Sequence, residues 1–164
     1  MDLQAAMSIV ESAVGDPQAG LPREVFLFVS RLTPLVNVDL LIQDLRGRTL
    51  LTWRDDEFYG TGWHVPGGII RFKETFAERI AACAREELGC GASSEGPPLM
   101  VVQGISPQAT RGHAIAFLYR CRLFGAPEEA RRATSNRPSA GQWRWHDGAP
   151  PDLLDAQRGY APLL

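Results

Sequence analysis

Residues 63–91 read Trp-His-Val-Pro-Gly-Gly-Ile-Ile-Arg-Phe-Lys-Glu-Thr-Phe-Ala-Glu-Arg-Ile-Ala-Ala-Cys-Ala-Arg-Glu-Glu-Leu-Gly-Cys-Gly. A short apolar strand runs into Pro66-Gly67-Gly68, where proline restricts one φ and two glycines free the next two, so a tight turn without Cβ atoms is expected. A helix follows from Glu74-Thr75 to Leu88, with Gly89 as its left-handed stop. Its last turn carries Glu86 and Glu87, at the negative end of the helix macrodipole, where each carboxylate costs about 0.3–1 kcal/mol. Neither acid has a Lys or Arg three or four residues before it: Glu86 looks back on Ala82 and Cys83, Glu87 on Cys83 and Ala84. Two adjacent acids unpaired in this way call for a cation from elsewhere.

Working outward, Leu35–Ile42 is a β-rich apolar run interrupted by Asp39, residues 45–48 read as a turn, and Thr49–Arg54 returns as a hairpin partner. Residues 55–62 are an irregular loop. Beyond Gly91 come a small-residue loop, a strand over 99–104, a long strand over 113–123, a polar mobile loop over 126–142 and a final strand, Trp143–His146. Leu3, Met7, Val10 and Val14 recur at helical spacing in residues 2–14, and Asp2 suits the N-cap. That helix packs on the domain or forms a dimer contact. A second short helix is expected over 22–32, and Pro151–Leu154 opens a closing helix or turn. Strands flanking one long central helix make an α/β sandwich of a mixed sheet, with no regular βαβ series, and residues 1–164 form a single domain with 1–20 as a helical extension.

At 164 residues and 45% hydrophobic, the chain is long enough to bury a substantial core. A formal charge of −2 gives no global reason to expect nucleic acid or an anionic membrane as partner. No run of about 18 apolar residues marks a transmembrane helix, and the N-terminus lacks the pattern of a signal peptide. Cys83, Cys90 and Cys121 are odd in number and lack C-x-x-C spacing, so a reducing cytoplasm is expected.

Glu86 and Glu87 can lean over one helix edge, with Cys83 one turn back between them. Oxygen ligands of this kind suit a hard divalent cation, which usually keeps waters and substrate phosphates in its shell. A thiol is a poor ligand for such an ion, and Cys83 reads as a small buried side chain facing the sheet.

Gly68, five residues, Glu74, then eleven residues to Glu86-Glu87-Leu88-Gly89 resembles the Nudix hydrolase signature. Ala82-Cys83 stands where that signature has Arg-Glu. The stretch 33–39, the turn at Arg46-Gly47, Leu50-Leu51 through Arg54 and Gly62–Gly68 resemble one branch in particular, the GDP-mannose mannosyl hydrolases, which also lack the Glu that Cys83 replaces. The resemblance covers residues 21–91 well and is loose from 92 to 155. It implies a Nudix-type sandwich with the box helix on a mixed sheet, and a cytoplasmic homodimeric hydrolase of nucleoside diphosphate derivatives. A nucleotide sugar such as GDP-mannose is the expected substrate.

The same resemblance implies Mg²⁺ or Mn²⁺ as cofactor, held by the Gly67 carbonyl, Glu86 and Glu87. Arg54 faces the diphosphate, where a guanidinium can hold two oxygens, and Asp39 sits at the sugar or nucleotide edge. Arg54, Glu74, Glu86 and Glu87 form the catalytic set, with Glu74 as a support at the helix start. Ile69 replaces the branch's phosphate-binding Arg, and Arg71 is the substitute within reach in sequence. Ser139 and Ala140 replace the branch's Gln-His pair, so Gln142 is left as the nearby polar side chain for the substrate. His64 and His146 read as structural. A chain that kept the fold and lost the general base would be a weak or inactive nucleotide-binding domain.

Overall fold

In a computed structural model, which describes residues 2–164, two sheets and one central helix build the molecule. Strand β1 (Leu35–Ile42) runs parallel to β7 (His113–Phe124) along eight residue pairs and antiparallel to β4 (Gly67–Ile69) on its other edge. The far edge of β7 is shared end to end by β5 (Gly91–Ser94) and β6 (Met100–Ile105). A second sheet orders β3 (Gly60–His64), β2 (Thr49–Asp56) and β8 (Trp143–His146). The mixed α/β sandwich expected from the sequence is the observed architecture.

Period-2 alternation along β1 decides where the site lies. Val38, Leu40 and Ile42 join the core beneath helix α3 (Phe76–Leu88), with Ile80, Cys83, Ala84 and Leu88. Leu41 points the other way, into the core shared with Leu51 and Trp63 of the second sheet and with Val65 just beyond it. Asp39 has the parity of Leu41, so the acid that interrupts an apolar run is delivered between the two sheets.

Helix α3 begins where capping chemistry permits. Thr75 Oγ1 accepts the Glu78 N–H at 3.2 Å while the Glu78 carboxylate accepts the Thr75 N–H at 2.8 Å, a reciprocal capping box. Gly89 ends it at φ 70°, a left-handed conformation that glycine adopts without a Cβ penalty.

Five expectations need correction. Residues 91–94 are strand β5, paired with β7, although the small side chains there read as a loop. Strand β3 forms out of the end of the supposed 55–62 loop. The 126–142 segment is tied down: the Trp143 indole N–H donates to the Glu128 carbonyl (2.9 Å), and Arg131 donates to the Glu86 carbonyl (2.7 Å). Helix α1 (Leu3–Val14) buries no residue, so its apolar stripe does not pack on the domain; Leu3 is 77% exposed. Helix α2 spans Arg23–Val29, shorter than expected, and residues 155–163 close the chain as a 3-10 helix.

Candidate active site

Where β4 enters from Pro66, its backbone bonds skip Gly67. Leu40 N–H donates to the Pro66 carbonyl (2.8 Å) and Ile70 N–H to the Val36 carbonyl (2.9 Å), so bonded pairs fall on every second residue. Gly67 is paired with Asp39 in a non-bonded position, and its N–H and carbonyl point away from β1. Glu87 meets that edge, its Oε1 accepting the Gly67 N–H at 2.8 Å. No larger residue fits there, because a Cβ at Gly67 would lie against Asp39 Oδ1 and 2.5 Å from the Val38 carbonyl oxygen. At Gly68 a Cβ would sit 2.8 Å from Cys83 Sγ, so the thiol fills the space under the turn. Burial pushes the Cys83 thiol up to about 12, which keeps it neutral and supports the buried, non-ligating reading.

The other Glu87 oxygen leads to an imidazole. Thr52 Oγ1 donates to Glu87 Oε2 at 2.7 Å and lies 3.0 Å from His64 Nε2, the two residues facing each other across β2 and β3. His64 Nδ1 is 2.9 Å from the Val65 carbonyl oxygen, which accepts the ring proton when Nδ1 carries it. Burial lowers the His64 pKa and keeps the ring neutral. The imidazole expected to be structural therefore lies 3.8 Å from Glu87 Oε2 and lines the cleft.

That cleft, of about 340 Å³, runs between the sheets and is lined by Asn37, Asp39, Arg54, His64, Gly67 and Tyr160 among others. Small residues of β7 and β6, Ala114, Ala116 and Gly104, leave the room for it. Asp39 is buried and its Oδ2 accepts the Tyr160 hydroxyl at 2.7 Å. Desolvation raises its pKa to about 7; the Tyr160 bond opposes that rise and the charge of Glu87 adds to it. Gln157, from the same closing segment as Tyr160, accepts the Val65 N–H at 2.6 Å and braces the entry to the turn. Arg54 lines the cleft with its Nε 2.5 Å from Asp56 Oδ2.

The structure separates the two acids of the helix end. Glu86 Oε1 accepts from Arg79 Nη2 at 2.9 Å, whereas the Glu87 oxygens accept from Gly67 and Thr52. Arg79 is seven residues back, two turns along the same face, so the expectation of an unpaired Glu86 is corrected: its cation comes from its own helix. Buried at 4% exposure, Arg79 also reaches Glu74 Oε1 at 3.6 Å, and Glu74 Oε2 accepts the Arg71 N–H at 2.9 Å, a supporting position. Arg71 lies 3.8 Å from Glu86 and donates to the Gln18 carbonyl, lining a separate cavity beside the N-terminal segment. It does not reach the cleft, because it follows Gly67–Ile69 onto the other face. Gln142 does not reach it either: its side chain accepts the Ser139 N–H at 2.9 Å and its carbonyl accepts from Trp53. His146 stacks edge-on with Trp63 at 4.5 Å, away from the cleft.

Replacing Arg79 by Met tests the clamp. Breaking a buried pair by removing one partner costs about 3–5 kcal/mol, and the exposure of Glu86 reduces that to roughly 2–3 kcal/mol. Denaturant unfolding should show this loss, whereas Arg85→Met, with no ion pair among the described residues, should leave stability within about 0.5 kcal/mol.

Among the described residues, no group of three or more His, Cys, Asp or Glu side chains is placed to hold a metal. Glu87, which meets the outward edge of Gly67 at the cleft wall, and the Gly67 carbonyl are two oxygen donors brought together, which fits Mg²⁺ only as an ion that takes the rest of its shell from water and substrate oxygens.

No family model matches the chain. The low-salt glycan biosynthesis protein Agl8 of Haloferax volcanii is 34% identical over 79 residues, 48% of this chain and 50% of that protein, so the match spans about half the length of the curated relative. A MutT Nudix hydrolase from Burkholderia pseudomallei superposes with a TM-score of 0.63 at 26% identity, over 80% of this chain and 98% of that one. The E. coli ORF135 protein does so at 0.57 and 20% identity, over 80% and 86%. With the box helix clamped behind a Gly-Gly turn between two sheets, and with these likenesses, the chain has the fold of the Nudix hydrolases.

Proposed function

We propose that the cleft binds a nucleoside-diphosphate-linked compound, a nucleotide sugar such as GDP-mannose, and hydrolyses it with Mg²⁺ or Mn²⁺. The observation that carries this is the meeting of Glu87 with the outward edge of Gly67 at one end of a cleft that Arg54 also lines. The similarity to a protein of glycan biosynthesis favours the sugar conjugate. A bound Mg²⁺ would neutralise diphosphate charge and polarise its oxygens. Glu87 and Gly67 would hold that ion, with Glu86 reserved for Arg79 unless it rotates free. Arg54 would orient the phosphates in bidentate fashion. Asp39, with a pKa near neutrality, would take the proton from the attacking water, since a base poised near the working pH is the most effective. Attack falls on phosphorus or on the sugar carbon.

A panel of nucleoside diphosphates and nucleotide sugars with added Mg²⁺ tests this. Turnover of at least one is expected; saturable binding without turnover of any would instead make the chain a nucleotide-binding domain, the reading that Ser139 and Ala140 in place of the Gln-His pair favour.

We further propose a homodimer in a reducing compartment, in keeping with the free thiols Cys83, Cys90 and Cys121. The uncovered stripe of α1, Leu3, Met7 and Val10, is the surface a second copy would bury. Light scattering should show a dimer for residues 1–164 and a monomer for residues 15–164. Identical masses per particle for the two would remove α1 from any interface.

A further inference from the structure

The cleft has a second guanidinium, Arg111, which the chemistry above leaves unused. It precedes β7 by two residues, and Ala114 of β7 is in register with Leu35, four residues up β1 from Asp39. At about 3.3 Å per residue this puts the start of β7 about 13 Å along the strands from Asp39. The Arg111 backbone thus enters at the end of the cleft away from Gly67, while its guanidinium flanks the same Tyr59 ring as Arg54.

Its backbone is left-handed at φ 59°, a conformation that a non-glycine residue keeps only when its surroundings hold it. Several contacts do so. The Arg111 N–H donates to Ser30 Oγ at 3.1 Å, and the guanidinium carbon lies 4.6 Å from the Phe58 ring centre, 5.3 Å from Tyr59 and 5.4 Å from Phe26. Rings stabilise a guanidinium through their faces but give its N–H groups nothing to donate to. Arg111 Nε is buried with no hydrogen-bond partner, and no carboxylate of the described residues forms an ion pair with this side chain. Arg54, which shares the Tyr59 ring at 4.8 Å, is by contrast neutralised by Asp56. A cation fixed at a cleft wall, with its faces covered and its edge unmatched, awaits an oxyanion from the ligand.

We propose that Arg111 receives a carboxylate carried by the sugar of the substrate, so that the cleft favours nucleoside diphosphates of acidic sugars. This rests on the nucleotide-sugar reading above. The diphosphate is engaged at the Glu87 end, and nucleobases are uncharged at neutral pH, which leaves the sugar as the place for a second anion.

Calorimetric titration with GDP-mannose and GDP-mannuronate, which differ only at the sugar's C6, tests the proposal, with UDP-glucose and UDP-glucuronate as a second pair. The native protein should bind the uronate of at least one pair tenfold or more tighter than the neutral sugar. Arg111→Gln should abolish that difference, and Arg111→Lys should keep part of it. Equal affinity for both members of each pair, or a preference that survives Arg111→Gln, would overturn it. So would a loss in Arg111→Gln that weakens both members alike, the mark of an arginine that only fastens the loop. If no sugar nucleotide binds the native protein, the nucleotide-sugar reading itself falls, and this one with it.

Discussion

Glu87→Gln should lower turnover by roughly 10²–10³-fold, the scale of removing a few kcal/mol of charge stabilisation at the diphosphate. The amide keeps the size of the carboxylate and one oxygen for the Gly67 N–H, now 2.8 Å away, so the fold should survive. What disappears is the charge facing a cation. Unfolding measured beside activity separates the two effects: a folded, inactive variant with weakened metal affinity is expected. Unchanged activity would remove Glu87 from the chemistry and return it to a structural role beside Thr52 and Gly67.

Asp39→Asn should act in opposite directions on activity and stability. In the proposed role of general base, Asp39 would contribute about 10²–10⁴-fold, which Asn would forfeit. The native rate should rise with pH through about 7 as Asp39 ionises, and the variant should lose that limb. For stability, the folded pKa of about 7 lies above the ordinary 3.8, so the folded state holds the proton more tightly than the unfolded chain does. The associated stability is full below about pH 3.8 and is lost as pH rises toward 7. Asn stays uncharged throughout, so the variant should be more stable than the native protein at pH 8 and should show a flatter profile between pH 4 and 7. A variant that is less stable at pH 8 would show that the Tyr160 bond to the ionised carboxylate outweighs its burial.

Local chemistry made the box helix legible. Thr75, Glu78 and Gly89 define its ends within a few residues of chain, and the Gly67-Gly68 turn needs no distant partner to be recognised. Asp39 announced itself by breaking an apolar run, and parity along β1 then sets its face. Arg79 was legible in principle, since seven residues are close to two helical turns, but a search limited to three and four residues passes over it. Register hid His64 and Thr52: their meeting depends on how β2 aligns with β3, which no single strand's sequence states. Tyr160 and Gln157 come from a polar closing segment 121 and 92 residues away from Asp39 and Val65, and nothing local marks them. Strand β5 was missed because Gly91, Ala92, Ser93 and Ser94 have little β preference of their own; the edge of β7 imposes it.

Loss of the third box carboxylate need not abolish metal binding, but it changes how binding is assembled. Cys83 sits under Gly68 as a neutral thiol, and Glu86 is held by Arg79, so Glu87 and Gly67 are the oxygen donors left together at the turn. Two oxygens hold Mg²⁺ weakly unless a diphosphate completes the shell. Binding of Mn²⁺, followed by paramagnetic resonance with and without a nucleoside diphosphate, tests this most directly. The site described here should bind the ion weakly alone and at least tenfold tighter with the nucleotide than either component binds separately, and Glu87→Gln should abolish the gain. Binding that is indifferent to the nucleotide, or to Glu87→Gln, would contradict it.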